Sequence, residues 1–226
     1  MTNLHYFKLI ALASITILLG TLLGSPEYTY TNSLVQSIAI YLWSYIGHIL
    51  YHKITIIDKV NFHKIIHHDT TNKYSRTINL VIESLCNMWL FFVLLIPNLF
   101  NINIFSKKIV IYSAIWYTAT HIFNYSMIKN NYHIQHHKTP EFNYSPEILD
   151  MLFDTKYDAN FDDDLSLIKE LLPVIIGFII VLYASKIGIN DVISKSNNIP
   201  NNIHNNIPNN IHNNIPDINI ELLKTE

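Results

Sequence analysis

Charged residues are scarce in this chain of 226 residues. Only 14% of the residues are Asp, Glu, Lys or Arg, whereas 50% are hydrophobic, and a soluble domain usually carries about 25% charged residues. Because the deficit extends over several long apolar runs, the composition indicates a membrane protein. The formal net charge of −2 and the lack of a basic patch argue against nucleic acid as a partner.

Cysteine is almost absent as well. Cys86 is the single cysteine, so no internal disulfide framework can form and the fold does not depend on an oxidising compartment. Cys86 lies inside the apolar run 78–96, and we interpret it as a small buried side chain rather than as a nucleophile. The sequence also lacks a Ser-His-Asp order, a glycine-rich phosphate loop and an HExxH motif. It therefore gives no sign of a serine hydrolase, of a nucleotide-binding loop or of a zinc protease.

Five apolar segments approach the roughly 20 residues that a helix needs to cross a bilayer core of about 30 Å. They are residues 7–24, 34–51, 78–97, 109–127 and 167–189. We expect the first to be a retained span rather than a signal peptide, because no convincing cleavage site follows it. The third contains Glu83, which either faces other protein groups inside the membrane or lies near the membrane interface.

The loops predict how the chain is oriented. Residues 25–33 contain no Lys or Arg, whereas residues 52–77 contain five of them. By the positive-inside rule the second loop is cytoplasmic, and a hairpin of the third and fourth spans returns residues 123–166 to the same side. The predicted fold is therefore all-α: a multi-span transmembrane helical bundle with a histidine-rich helical cap on its cytoplasmic face.

The C-terminal segment has a different composition. From Asn197 to Pro216 it repeats NNIP and NNIH with a period of four, and with so few apolar residues we expect disorder. Repeat expansion accounts for His204 and His212, which we exclude as ligands. The predicted organisation is an N-terminal span and loop (1–33), a histidine-box domain (34–166), an additional apolar span (167–189) and a disordered repeat tail (190–226).

Nine of the twelve histidines lie in three groups, all on the predicted cytoplasmic side. Spacings of three and four place side chains on one helical face, about 5–6 Å apart at Cβ, so two imidazoles can reach one metal ion. Adjacent histidines diverge by about a hundred degrees on a helix and can serve two different ions. Nine imidazoles exceed one tetrahedral site, which favours two metals. The predicted ligands are His48, His52, His63, His67, His68, His121, His133, His136 and His137.

The ligand type narrows the choice of metal without fixing it. An all-imidazole shell suits Zn, Cu, Fe or Ni, and an oxygen-activating di-iron centre fits the ligand number and a lipid-facing substrate best. Zinc remains open as the alternative. His5 precedes the first span without a cluster partner and is excluded. Candidate acceptors for ring N–H groups are Asp69, Glu141, Asp150 and Asp154, although capping or surface charge accounts for each of them individually.

The motifs resemble those of the fatty acid hydroxylase/sterol desaturase superfamily, which comprises integral membrane di-iron oxygenases. The resemblance runs from about Trp43 to Tyr157, roughly half of the chain. HILYH (48–52) fits the first histidine box, FHKIIHH (62–68) the second and YHIQHH (132–137) the last. FNYSPEILDMLFDTKYD (142–158) is similar to the closing phrase of the family, including Asn143, Asp150 and Thr155.

Three features depart from the family pattern. The second box reads HxxxHH rather than HxxHH, which displaces His63 by one residue. Tyr125 occupies a position where many family members have another histidine, so one iron would lack a protein ligand or use a different one. Asp154 replaces the usual glycine of the closing phrase, so the resemblance implies a positive φ at this residue, which Asp tolerates better than most residues.

The resemblance implies that the nine histidines bind two iron ions and that O₂ is a co-substrate. It implies a lipid substrate, such as a fatty acid, ceramide or sterol, that is hydroxylated or desaturated within the bilayer. The sequence shows no haem-binding domain, so we expect electrons from a separate haem or flavin transfer chain. The expected location is the endoplasmic reticulum membrane, with the metal site facing the cytoplasm. Two alternatives remain: a non-catalytic membrane protein that binds zinc, and a divalent-cation transporter.

Overall fold

The computed structural model describes residues 3–54, 61, 63–68, 75–128, 130–158 and 166–197, with the backbone alone described at 66–67, 125–126 and 188–197. The chain divides into a unit of residues 1–185 and a unit of residues 186–226, and the first unit contains the candidate site. The elements within these ranges are all helical. The predicted all-α class is therefore confirmed for this part of the chain.

The described part of the chain contains seven α-helices. Two π-helical turns, His63–His67 and His121–Met127, follow α2 and α4, and a 3₁₀ segment, Val93–Phe100, continues α3. Thr29 and Ser75 cap the N-termini of α2 and α3 with their hydroxyls, which satisfies backbone N–H groups that would otherwise lack a partner. The helices are α1 (Asn3–Gly24), α2 (Tyr30–Lys53), α3 (Arg76–Phe92), α4 (Lys107–Thr120), α5 (Asn131–Lys138), α6 (Glu147–Leu152) and α7 (Leu167–Asn197).

Within the ranges that the structure describes, four helical segments are long and apolar enough to cross a membrane: Asn3–Gly24, Tyr30–Lys53, Arg76–Phe100 and Leu167–Ile187. The predicted span 109–127 is not among these four segments. Its α-helical part, α4, has 14 residues and extends only about 21 Å before the π-helical turn begins.

The burial of α4 explains its polar composition. Ile109, Val110, Tyr112 and Ala114 are at most 1% exposed, because α4 packs against α1, α2 and α3. A helix enclosed by other helices can carry Ser, Thr and Tyr where a lipid-facing helix could not. The apolar side chains that remain exposed on the outer helices, such as Leu85 and Trp89 of α3, are suited to contact with lipid.

Helix α7 runs to Asn197, past the predicted end of the span at residue 189. The intervening residues NDVISKS do not belong to the NNIP and NNIH repeat, so the helix continues until that repeat begins. The rest of the predicted tail, with His204 and His212, lies outside the described residues.

Close contact between α2 and α3 depends on Gly47, which precedes the first box histidine. A Cβ atom at residue 47 would overlap the side chain of Leu90. On the same face of α2, Trp43 donates a hydrogen bond from Nε1 to the carbonyl of Leu90 at 2.7 Å. The glycine therefore lets α2 approach α3 closely at the level of His48.

We predict that Gly47→Ala destabilises the protein by about 1–3 kcal/mol, because inserting a methyl group into a packed interface forces side chains and backbone to shift. Thermal unfolding in detergent micelles measures the effect. Gly177→Ala is the matched control, since its added Cβ would meet the nearest atom, Ile115 Cγ2, at 3.3 Å. Equal melting temperatures for the two variants would contradict the prediction.

Candidate metal centre

The predicted histidines converge at one end of the helix bundle. Eight of the nine have described side chains, and their rings form one connected set with neighbouring centroids 4.4–6.2 Å apart. For the ninth, His67, only the backbone is described. The second and last histidine boxes meet directly, since the rings of His68 and His137 stack at 4.4 Å.

Five of these residues form a compact group that could hold one metal ion. Each offers one ligand nitrogen, and the five nitrogens all lie within 4.8 Å of one another. Two ligands on opposite sides of one ion, with metal–nitrogen bonds of about 2.0–2.1 Å, lie about 4.2 Å apart, so small side-chain adjustments would bring the nitrogens into coordination. We call this set the five-histidine group; it comprises His48, His52, His63, His68 and His136.

A π-helical turn explains how the displaced His63 stays in the five-histidine group. Residues 63–67 form a turn wider than that of an α-helix, closed by the hydrogen bond from His68 N–H to the carbonyl of His63 at 3.2 Å. Such i→i+5 turns frequently occur at functional sites. The wider turn accommodates the extra residue of the second box, and the rings of His63 and His68 lie 4.9 Å apart.

Backbone carbonyls orient two members of the five-histidine group. His136 donates from Nδ1 to the carbonyl of Phe142 at 2.6 Å, and His48 makes the same kind of hydrogen bond to the carbonyl of Tyr144. A carbonyl only accepts, so both rings carry their proton on Nδ1 and present Nε2 as the electron-pair donor. Metal-binding histidines are commonly held in this way by the other ring nitrogen.

Asp150 holds the loop that supplies these carbonyls. Its fully buried carboxylate accepts hydrogen bonds from the backbone N–H of Tyr144 and Ser145 at 2.9 and 2.7 Å, and from the hydroxyls of Tyr132 and Thr155 at 2.9 and 2.7 Å. Burial raises the pKa of Asp150 to about 7, while these four hydrogen bonds act to lower it. All four partners donate, which suits the ionised carboxylate.

The remaining candidate acceptors have different environments. Asp154 and Glu141 are exposed, and Asp69 lies outside the described residues. Asp154 has a φ of 55°, so the positive φ expected at this glycine position is confirmed. Asn143 also has a positive φ, of 57°. Its buried side-chain amide donates a hydrogen bond to the carbonyl of Tyr132 at 3.2 Å and accepts one from the N–H of Tyr157 at 2.9 Å. The amide thereby links these two residues.

His121, His133 and His137 form a second group beside the first. The Nε2 atoms of His133 and His137 lie 3.0 Å apart, and the rings of His121 and His133 are 4.5 Å apart. Asn130 caps α5 by accepting from the N–H of His133 at 2.8 Å, which fixes the start of the helix that carries three histidines. Within α5, His136 belongs to the five-histidine group, whereas His137 contacts both His133 of the second group and His68 of the five-histidine group.

One buried residue next to the second group was not among the predicted ligands. The side chain of Glu83 is 5% exposed, and its Oε1 lies 3.3 Å from Nε2 of His121. Of the two interpretations of Glu83 left open by the sequence, the structure supports a carboxylate that faces protein groups. In the sequence, Glu83 is recognisable only as a lone carboxylate within an apolar run. No local pattern predicts that α3 directs this carboxylate towards His121.

Other residues that were not predicted as ligands have environments of their own. His5 contacts Glu147, with Nε2 and Oε1 2.9 Å apart. Cys86 is a free thiol, and its side chain is half-buried rather than fully buried as expected. The side chain of Tyr125 lies outside the described part of the chain.

Two pockets adjoin the cluster. The first, which we call the apolar pocket, comprises about 590 Å³ when space open to solvent is included, and Tyr117, His121 and Ser145 are part of its lining. The second, the lysine-lined pocket, has about 500 Å³ and lies beside His52 and His68. The apolar pocket is lined by Leu9, Leu12, Thr16, Tyr41, Trp116, Tyr117, Thr120, His121, Ser145, Pro146, Glu147, Ile148, Glu170 and Val174; the lysine-lined pocket adds Lys53, Lys64, Pro140, Glu141 and Tyr144.

Comparisons of the chain with models of protein families, with curated proteins and with solved structures gave no match. The geometry alone defines the site as a buried polyhistidine cluster in a helical bundle with four candidate membrane spans.

We predict that Asp150→Asn weakens metal binding by about 10–100-fold, because it disturbs the loop that orients His48 and His136. The amide also presents an N–H group to a donor, which costs about 1–3 kcal/mol of stability. Zn²⁺ titration of the purified protein against a chromophoric chelator measures the affinity. Asp154→Asn is the control, because the exposed Asp154 tolerates an Asn at positive φ. Unchanged affinity in Asp150→Asn would refute the orienting role.

Proposed function

We propose that this protein is a membrane-bound di-iron oxygenase that hydroxylates or desaturates a lipid. The observation that carries the proposal is the adjacency of the five-histidine group and the second group, which His137 joins by contacting His68 of one and His133 of the other. Two iron ions bound there would supply the activation of O₂ and the removal of hydrogen from an unactivated C–H bond. The order and spacing of the histidine boxes, similar to the fatty acid hydroxylase/sterol desaturase superfamily, supports the same conclusion.

The apolar pocket supports a lipid as the substrate. Leu9, Leu12, Trp116 and Val174 provide walls suited to an acyl chain or a sterol, and His121 of the second group is part of the lining. The hydroxyl of Tyr117, also in its lining, lies 3.3 Å from Nδ1 of His48. A lipid in this pocket would place its C–H bonds beside the cluster while excluding water from that side.

Polar groups of the apolar pocket suggest how a lipid headgroup is held. Glu147 is buried between His5 and Lys156, at 2.9 and 2.8 Å, and Glu170 pairs with Lys8 at 3.0 Å. The second carboxylate oxygen of Glu147 is buried and has no hydrogen-bond partner among the described residues. It offers an acceptor for a hydroxyl or amide N–H of a substrate.

The lysine-lined pocket supports a separate approach from water. Lys53 and Lys64 lie on it beside His52 and His68, within the basic loop that the positive-inside rule places on the cytoplasmic side. We propose that this side receives the metal ions and the electrons from a separate haem or flavin chain, and that the protein resides in the endoplasmic reticulum membrane. The protein would thus receive its lipid and its electrons from different sides of the cluster.

One observation favours a second candidate, a non-catalytic membrane zinc protein. Five imidazoles close to one centre would saturate a metal ion, whereas catalytic zinc sites keep a position open. A transporter is less well supported, because the histidines gather at one end of the bundle rather than halfway along its helices.

We predict about two iron ions per chain after anaerobic purification and loading with Fe²⁺, and an oxygenated or desaturated lipid after addition of reductant, O₂ and membrane lipids. His136→Ala should reduce the iron content and abolish the product. His204→Ala is the control, since it changes a histidine of the C-terminal repeat. Stoichiometric zinc without oxygen uptake would favour the second candidate, and iron-loaded protein without lipid product would contradict the enzymatic proposal.

We also predict that Val174→Trp lowers product formation at least tenfold without changing the iron content, because a large ring would fill the apolar pocket. Lipid product and iron are measured on the same preparation. Ile179→Trp is the matched control: residue 179 is on the same helix but exposed, so its ring would face outwards. Equal product from both variants would exclude the apolar pocket as the substrate site.

A further inference from the structure

Glu83 is a carboxylate in an unfavourable place. It belongs to a candidate membrane span, and its side chain is 5% exposed. Transfer of an ionised carboxylate into such surroundings costs several kcal/mol unless a cation or hydrogen-bond donors compensate for it. Its buried neighbours on the same helix are Asn87, Leu90 and Phe91, which carry no charge. Across the helix interface, this carboxylate meets the imidazole of His121.

The distance between Glu83 and His121 fits two ligands of one metal ion. A charge-assisted N–H···O hydrogen bond usually measures about 2.7–2.9 Å. Two ligand atoms that share one tetrahedral ion, each at about 2.0–2.1 Å, lie about 3.3–3.4 Å apart. The separation between Oε1 of Glu83 and Nε2 of His121 is 3.3 Å, which is long for the hydrogen bond and matches the shared ion.

Among the described side chains, the second group has fewer imidazoles than the five-histidine group. It contributes three imidazoles with described side chains, whereas the five-histidine group contributes five. A fourth donor would complete a tetrahedral set. A carboxylate further neutralises one charge of a divalent ion in a site where neutral imidazoles leave both charges uncompensated.

We infer that Glu83 is a metal ligand of the second group, together with His121, His133 and His137. This inference rests on the proposed metal centre and deepens it, since the two metal positions become chemically unequal. The five-histidine group is an all-imidazole site, whereas the second group is a mixed imidazole–carboxylate site for a divalent first-row ion. Carboxylate ligation shifts a site towards Fe²⁺ or Mn²⁺ relative to a purely imidazole shell.

Three variants separate a ligand from a residue that merely orients His121. Glu83→Gln keeps a hydrogen-bond acceptor but loses the charge and most of the affinity for metal, whereas Glu83→His replaces one ligand type by another. Glu27→Gln is the matched control, because Glu27 is a carboxylate elsewhere in the chain, bonded to Ser106 at 2.7 Å and paired with Lys108 at 3.2 Å. The full-length protein is loaded with Co²⁺, whose visible absorption reports on its ligands.

We expect two Co²⁺ ions per chain in the wild-type protein and in Glu27→Gln, and one in Glu83→Gln. Glu83→His should recover the second ion with a shifted visible spectrum. Two ions with the wild-type spectrum in Glu83→Gln would overturn the inference and leave Glu83 as a hydrogen-bond acceptor. Fewer than two ions in the wild-type protein, or no recovery in a folded Glu83→His variant, would overturn it as well.

The readout is independent of the proposed reaction. If the protein binds two ions and Glu83→Gln loses one, but no lipid is oxygenated, the ligand assignment stands and the oxygenase proposal fails. If lipid is oxygenated while Glu83→Gln retains both ions, the oxygenase proposal stands and the ligand assignment fails.

Discussion

The ordering of the imidazoles depends on the hydrogen bonds that the Asp150 carboxylate accepts. It binds two consecutive backbone N–H groups of the closing loop, and the carbonyls of that loop hold Nδ1 of His48 and His136. It also binds the hydroxyl of Tyr132, the residue before His133. A single buried anion thus connects α5, the closing loop and α2, and the rings of two histidine boxes keep a fixed direction only while these bonds persist.

Much of the fold follows from the length and composition of the apolar runs. Four predicted spans overlap helical segments of the structure, because a long apolar run has few alternatives to a helix in a bilayer. These segments are Asn3–Gly24, Tyr30–Lys53, Arg76–Phe100 and Leu167–Ile187. The segment 109–127 is not among them, and hydropathy does not reveal that α4 is enclosed by other helices. Spacing likewise predicted which histidines share a helical face, but not that a π-helical turn would absorb the extra residue at 63–67.

The candidate site could be predicted only as far as its ligand types. Clustered histidines are visible in the sequence, and their tertiary convergence follows once the boxes lie at one end of the bundle. The contact of Glu83 with His121 depends on the rotation of α3 relative to α4, which no local pattern encodes. The role of Asp150 was equally hidden, because it reaches the rings through the loop backbone rather than through a direct side-chain contact.

Because peptide carbonyls rather than side chains hold His48 and His136, the acceptors are insensitive to the identity of residues 142 and 144. Phe142 and Tyr144 can be exchanged for other residues while the oxygen atoms that receive the ring protons remain. A mutational scan of these two positions would therefore report packing of the aromatic rings and would overlook the hydrogen bonds. Replacing an individual amide by an ester in the backbone would expose them, since the ester carbonyl is a weaker acceptor.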